Sequence, residues 1–279
     1  MRRFVGPSAV VLALAGVTGG AMLVQQDRTE ALSVLTSAPS SSSPSPSPSS
    51  SATPAPAPLA GRVVVIDPGH QLGNHNYPDE TNRQVPAGGF TKPCNTTGTA
   101  TNGGYPEATL TWQVSRLLRT RLEDLGAKVV LTRHSNRQDR WGPCVDARGR
   151  AGNRIPADLK VSVHGDGSYA AGAHGFHVIA PTDRRPWTHD IYRSSRRLAL
   201  VTRAALQGVG LSVATYIAGG DGLDFRSDLA TLNLSDVPTV MVELGNMRSA
   251  EDARRMTRPP GRATYARGLA HAVRDYLTD

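Results

Sequence analysis

Short runs of β-branched and aliphatic residues recur through residues 61–279, set apart by longer stretches in which apolar positions return every three or four residues. Val63-Val64-Val65-Ile66, Ala127 to Leu131, Leu159 to Val163, Gly175 to Ala180 and Pro238 to Glu243 predict strands. Leu110, Val114, Leu117, Leu118, Leu122 and Leu125 repeat at helical spacing and predict a helix over 107–125, with Gly126 as its C-cap. Val145 to Asn153 predicts a short helix and Ile191 to Gln207 a long one. A last helix over 263–277 would carry Tyr265, Leu269, Val273 and Tyr276 on one face. Strand and helix alternating in this way predict an α/β fold: a single domain with a mostly parallel, twisted sheet and helices on both faces. Residues 74–106, rich in Gly, Asn, Pro and Thr, are too long for a plain connection and predict a functional loop covering the site. A Gly/Asp-rich loop is expected at 218–228.

The pattern before residue 61 is different. Met1-Arg2-Arg3 precedes an apolar stretch from Val5 to Val24, which reads as the basic and hydrophobic parts of an export signal. Gly19-Gly20-Ala21 suits cleavage, yet the run is almost long enough to stay in a bilayer. Residues 1–30 are therefore expected to be a signal peptide or an N-terminal anchor, the only membrane contact. No cysteine lies near this segment, which excludes a lipid-modified cysteine. Residues 31–60 are expected to be a disordered linker. From Ala38 to Pro58 every residue is Ala, Pro, Ser or Thr, a composition that buries nothing and extends at ~3.1 Å per residue. The protein is expected to be exported to a periplasm-like space, the cell wall or the medium.

Export changes the reading of the only two cysteines, Cys94 and Cys144. In a reducing compartment they would be free thiols or metal ligands, whereas an exported domain makes a disulfide the expected state. The formal charge of +8 comes mostly from arginine, and fits either a solvated basic face or steering toward an anionic polymer. A nucleic-acid partner is not expected, because zinc-finger spacing is missing and 5% aromatic content leaves little to stack on bases. A wall polymer carrying carboxylates or phosphates fits export better.

Three strand-like runs end on side chains capable of metal binding or catalysis: Val63 to Ile66 leads to His70, Leu159 to Val163 to His164, and Thr239 to Val242 to Glu243. Ligands gather outside the carboxyl ends of parallel strands, so these residues should meet in one crevice. Two neutral imidazoles with one carboxylate form a common hydrolytic zinc set that leaves a position for water. Glu107 is the candidate third ligand; at the first turn of a predicted helix it fits a partner of the helix dipole equally well. Glu243 ends an apolar run where a carboxylate is costly to desolvate, and is the natural general base. Asp67 is a candidate to orient His70 or to form the turn. His174 and His177 would point to opposite faces of a strand, and are assigned surface or supporting roles. His75, in the long loop near His70, is read as a solvent-exposed residue or a substrate contact, and His134, His189 and His271 carry no signal.

Val64-Val65-Ile66-Asp67-Pro68-Gly69-His70, Glu107 opening a helix, Val129 to Arg133, Arg148 with Ala151-Gly152-Asn153, Ser162-Val163-His164 and Val242 to Asn246 occur in a telling order. The set resembles zinc-dependent N-acetylmuramoyl-L-alanine amidases of the Amidase_3 type, over about residues 62–277. The resemblance implies Zn²⁺ held by His70, Glu107 and His164, with Glu243 catalytic. It makes residues 61–279 a zinc amidase domain that cleaves peptidoglycan between N-acetylmuramic acid and the L-alanine of the stem peptide. His164-Gly165-Asp166 and Gln71-Leu72 depart from the family's usual His-Ala-Asn and glycine pair, which makes Asp166 a position of altered substrate contact. The segment Arg226 to Leu234 looks like the shorter actinobacterial amidases and makes Arg226 a further candidate. A zinc peptidase acting on another stem-peptide bond, or a non-catalytic wall-binding protein, would share the fold.

Overall fold

The computed structural model describes residues 56–279; the expected export signal and nearly all of the expected linker lie outside them. In chain order the elements are β1 (Val63–Pro68), α1 (Pro78–Asn82), β2 (Gln84–Pro86), β3 (Thr91–Pro93), α2 (Glu107–Asp124), β4 (Lys128–Leu131), α3 (Val145–Arg150) and β5 (Leu159–Asp166). Then follow β6 (His177–Pro181), α4 (Tyr192–Gly208), β7 (Leu223–Arg226), α5 (Ala230–Asn233), β8 (Thr239–Asn246), α6 (Ala250–Thr257) and α7 (Pro259–Thr278). Six strands form one sheet in the order β4-β1-β5-β8-β6-β7, parallel except where β6 meets β8 antiparallel. This is the expected α/β architecture. Among the described residues no helix is long and apolar enough to cross a membrane.

Strand side chains alternate between faces, and the two faces of this sheet differ in chemistry. Val64, Ile66, Leu159, Val161, Val163, Val240 and Val242 pack into the main core with α2, α4 and α7. The α2 stripe is buried at Leu110, Val114, Leu118 and Leu122, while Leu117, off that i, i+4 line, is 39% exposed. On α7, Tyr265, Leu269, Val273 and Tyr276 are buried as expected. Intervening strand positions face the short helices α3 and α5, and here the sheet is buried but polar: Asp67, Lys160 and Ser162 are each 0% exposed. Lys160 Nζ donates to the Arg148 and Gly149 carbonyls at the end of α3. Burial pushes this ammonium down to about 7, with Asp67 and Asp236 opposing the shift.

Several boundaries differ from those read along the chain. The 74–106 loop contains α1 and the β2–β3 hairpin, and the 218–228 loop contains β7, which pairs with β6. Helix α6 was not expected; Ser249 caps it by accepting from the Asp252 N–H, a Ser-x-x-Asp start signal in plain sight. Helix α7 begins at Pro259, a residue suited to the first helical turn. Leu59, assigned to the linker, is 0% exposed, and its N–H donates to the Leu125 carbonyl at 2.8 Å, so folded structure starts before residue 61.

Cys94 and Cys144 are bonded to each other, tying the end of β3 to the residue before α3. The bridge closes a loop of 50 residues in sequence separation, a constraint on the unfolded chain of roughly 4 kcal/mol. Reduction, or Cys94→Ala with Cys144→Ala, is expected to lower the melting temperature and to loosen Asn95 to Thr99. Thermal unfolding with and without reductant checks this; equal melting temperatures would remove the bridge from the stability account.

Candidate active site

The carboxyl ends of β1, β5 and β8 open on a cavity of about 420 Å³ whose walls include His70, Glu107, His164, Asp166, Lys92 and Glu243. Register explains the convergence. His164 lies directly beside Glu243 across the parallel β5–β8 pair, and both point to the α3 side by strand alternation. His177 opposes Glu243 across the antiparallel β6–β8 pair.

His70 stands just past β1 with φ 57°, a left-handed conformation that a non-glycine residue holds only when its surroundings enforce it. Arg148 does so. Its Nη1 donates to the Pro68 carbonyl at 2.7 Å and to Asp67 at 2.6 Å, its Nη2 to the His70 carbonyl at 2.7 Å, and its Nε to the Pro143 carbonyl at 2.9 Å. The imidazole is oriented separately: Nδ1 donates to the Thr96 carbonyl at 3.1 Å, which leaves the Nε2 lone pair facing the site. Asp67, a candidate to orient His70 or to form the turn, binds Arg148, Thr132 and Ser162, and reaches the His70 backbone through the arginine. Burial alone would raise its carboxyl, but Arg148 and the two hydroxyls hold it well below the usual carboxylate range.

Two glycines make the approach of these groups feasible. A Cβ at Gly69 would sit 2.5 Å from the His164 ring, and one at Gly98 (φ +76°) would sit 2.8 Å from Glu107 Oε2.

Glu107 occupies the first turn of α2, but its carboxylate does not cap its own helix. Oε2 accepts from the Thr99 N–H at 2.9 Å, and Oε1 from the Gly165 N–H at 3.1 Å. The same Oε1 lies 3.1 Å from His70 Nε2 and 3.0 Å from His164 Nδ1. Burial opposes ionisation of Glu107, and the two imidazoles overcome it and hold the carboxyl well below its usual range. His70 is correspondingly raised: burial works against its protonation, and Glu107 wins. One ligand atom from each of the three residues lies within 4.8 Å of the others, so the set fits a single metal ion.

Glu243 is different in kind. Burial, then the neighbouring Glu107 and Asp166 carboxylates, raise it well above the usual range, with Arg226 opposing. Its Oε2 is buried and has no hydrogen-bond partner among the described residues. Asp166 also lines the cavity, with Oδ2 accepting from the Tyr216 hydroxyl at 2.7 Å and Oδ1 from the Gly167 N–H at 2.7 Å. Arg226 makes a two-pronged bond to Asp228, both at 2.8 Å, and does not line the cavity. Lys92, which carried no signal in the sequence, does line it, with Nζ donating to the Asp228 carbonyl at 2.8 Å. His177, assigned a surface or supporting role, is 3% exposed, and its Nδ1 has no partner among the described residues.

Arg148→Met is expected to strip Asp67 of its cation and release the His70 backbone. Leaving a buried charge unpaired costs about 3–5 kcal/mol, and Arg148→Lys should recover only part of this because an ammonium cannot fork between these carbonyls. The lowered Asp67 carboxyl contributes stability above its unfolded value, about 3.9, and that contribution is lost only as pH falls toward the lower folded value. Urea unfolding from pH 7 to acid checks both; wild-type stability in Arg148→Met would refute the clamp.

A mostly parallel sheet that collects two imidazoles and two carboxylates at its carboxyl ends, three of them in metal-binding array, is the frame of a metal-dependent hydrolase. Within that class the chain belongs to the Amidase_3 family of N-acetylmuramoyl-L-alanine amidases, whose profile matches residues 64–275. It is 43% identical over 222 residues to N-acetylmuramoyl-L-alanine amidase Rv3717 of Mycobacterium tuberculosis, covering 78% of this chain and 88% of that one. Among solved structures it is similar to the apo form of the N-acetylmuramyl-L-alanine amidase Ami1 of Mycobacterium abscessus, with 45% identity, TM-score 0.72, and coverage of 78% of this chain and 100% of that chain. Ami1 of Mycobacterium smegmatis is 38% identical, with TM-score 0.72 and coverage of 78% and 98%. Family membership makes this chain a peptidoglycan-hydrolysing amidase.

Proposed function

We propose that the cleft hydrolyses the amide between N-acetylmuramic acid and the L-alanine of the stem peptide, with Zn²⁺ held by His70, Glu107 and His164 and with Glu243 as general base and acid. The observation that carries the reading is the shared focus of His70 Nε2 and His164 Nδ1 on Glu107 Oε1, beside the unpartnered Glu243 Oε2. A two-nitrogen, one-carboxylate donor set suits zinc and leaves a coordination position open. When bound, zinc acts as a Lewis acid on the amide carbonyl and lowers the pKa of a bound water to about 7.

The chain's own residues supply the rest. Thr99 and Gly165 N–H groups fix the Glu107 carboxylate, and Thr96 fixes the His70 ring, so the array is set before substrate arrives. Glu243 accepts a proton from the attacking water and returns it to the amide nitrogen as the C–N bond breaks. The products are a muramoyl lactyl carboxylate and a stem peptide with a free amino-terminal L-alanine. The basic, apolar start of the chain supports export, and the Ala/Pro/Ser/Thr tract would serve as a spacer between that start and the domain.

Mass spectrometry of muropeptides before and after incubation with the purified domain tests the reading. Release of intact stem peptides that begin with L-alanine, abolished by a chelator and restored by zinc, is the expected result. Shortened stem peptides still attached to muramic acid would identify a stem-peptide peptidase instead.

A further inference from the structure

Next to the catalytic cleft lies a second hollow of about 380 Å³, within the size range of small-ligand sites, with Tyr169, Arg248, Asn102, Asn246, Ser168 and His174 in its wall. We propose that this hollow is a subsite for the glycan strand flanking the muramoyl unit under attack. The proposal rests on the amidase reading of the neighbouring cleft and names the part of the substrate that reaches beyond it.

Connectivity places the two hollows side by side. Asp166 and Gly167 line the cleft, and the next two residues, Ser168 and Tyr169, line the hollow. Thr99 lines the cleft and Asn102 the hollow, while Asn246 lies three residues beyond Glu243 on β8. The two loops meet at Gly167, where a Cβ would come within 2.5 Å of Thr99 Oγ1. A polymer leaving the cleft over this contact enters the hollow.

The wall is built to hold an aromatic ring out in water. Tyr169 is 80% exposed, more than any other large apolar or aromatic side chain among the described residues that are exposed. Its ring lies 4.8 Å from the Arg248 guanidinium carbon. That arginine is anchored in turn: Nη1 donates to Asn102 Oδ1 at 3.3 Å, its carbonyl accepts from Asn102 Nδ2 at 3.3 Å, and its N–H donates to Asn246 Oδ1 at 3.0 Å. Asn246 Nδ2 fastens the loop through the Ser168 and Ala173 carbonyls. A ring fixed by a cation on one side and open to solvent elsewhere is a platform for a flat, partly apolar ligand. A pyranose offers such a ligand: its C–H face lies on the ring while hydroxyl and N-acetyl groups reach amide, imidazole and hydroxyl side chains around it. Around the Tyr169 ring the wall offers the amides of Asn102 and Asn246, the His174 imidazole, the Ser168 and Ser249 hydroxyls and the one Arg248 guanidinium, a mostly neutral donor and acceptor set that suits the hydroxyl and N-acetyl groups of an uncharged sugar.

Two measurements test the subsite. In the first, an uncharged oligomer of N-acetylglucosamine, the sugar that flanks each muramoyl unit, is titrated into the isotope-labelled domain. Wild type should show saturable shifts around Tyr169 and Arg248, Tyr169→Ala should lose them, and Tyr169→Phe, which keeps the ring face, should retain them. In the second, kcat/KM is compared between a glycan-chain substrate and a single muramoyl-peptide. Their ratio should fall about 10-fold in Tyr169→Ala, one decade for one lost contact, and recover in Tyr169→Phe. Absence of glycan shifts in wild type, an unchanged ratio in Tyr169→Ala, or free stem peptide shifting the same resonances in place of glycan would overturn the proposal. Glycan binding by a wild-type domain that releases no stem peptide beginning with L-alanine from either substrate would support the subsite and overturn the amidase reading of the cleft.

Discussion

Glu243→Gln is expected to lower turnover by about 10²–10⁴-fold, the usual worth of a positioned acid or base, with metal content and fold retained. The substitution keeps the shape of the side chain and removes only its ability to take and return a proton. Its stability effect should be neutral or favourable. The wild-type carboxylate is buried, repelled by Glu107 and Asp166, and leaves Oε2 unpartnered, so a neutral amide relieves charge that the fold does not satisfy. Turnover, zinc stoichiometry and melting temperature measured on one preparation separate the roles. A variant that keeps wild-type turnover would remove Glu243 from the chemistry, and one that loses zinc would make it a ligand.

The larger effect is expected at the metal array. His164→Ala should abolish activity and weaken zinc binding by well over about 100-fold, since loss of even an outer hydrogen-bond partner of a ligand typically costs 10–100-fold. His164 supplies Nδ1 to the array, rests its ring on Gly69, and is one of two imidazoles that keep the buried Glu107 ionised. Its removal leaves a ligand position empty and a carboxylate short of a partner. Glu107→Gln should also weaken zinc, because the amide keeps one acceptor oxygen for only one of the Thr99 and Gly165 N–H groups and turns its own N–H₂ toward the other. Metal analysis after dialysis, with circular dichroism for folding, checks both variants. Full zinc occupancy in folded His164→Ala would end the proposed ligand set.

Much of this was legible along the chain. Runs such as Val63-Val64-Val65-Ile66 announce buried parallel strands because side chains covered on both faces need no polar alternation. A carboxylate or imidazole closing such a run stands out, as His70, His164 and Glu243 do. Helix α6 is also legible through Ser249 and Asp252, but its positions are mostly polar, so it lacks the apolar periodicity that marks the other helices.

The sequence by itself determined the strand–helix alternation, the family, and the convergence of His70, His164 and Glu243, because these follow from hydrophobic period, motif order and strand ends, all legible along the chain. It left Glu107 divided between ligand and helix-dipole partner, and only the tertiary structure turned its carboxylate away from α2 toward the two histidines. It likewise could not assign Arg148 to the His70 backbone, Thr96 to the His70 ring, Lys92 to the cleft or His177 to the flank of Glu243. Each of these contacts joins residues distant in the chain through backbone carbonyls or sheet register, and neither leaves a mark on side-chain pattern. The polar, buried face of the sheet is the clearest case: Asp67, Lys160 and Ser162 look like ordinary strand polarity until α3 closes over them and makes their hydrogen bonds obligatory.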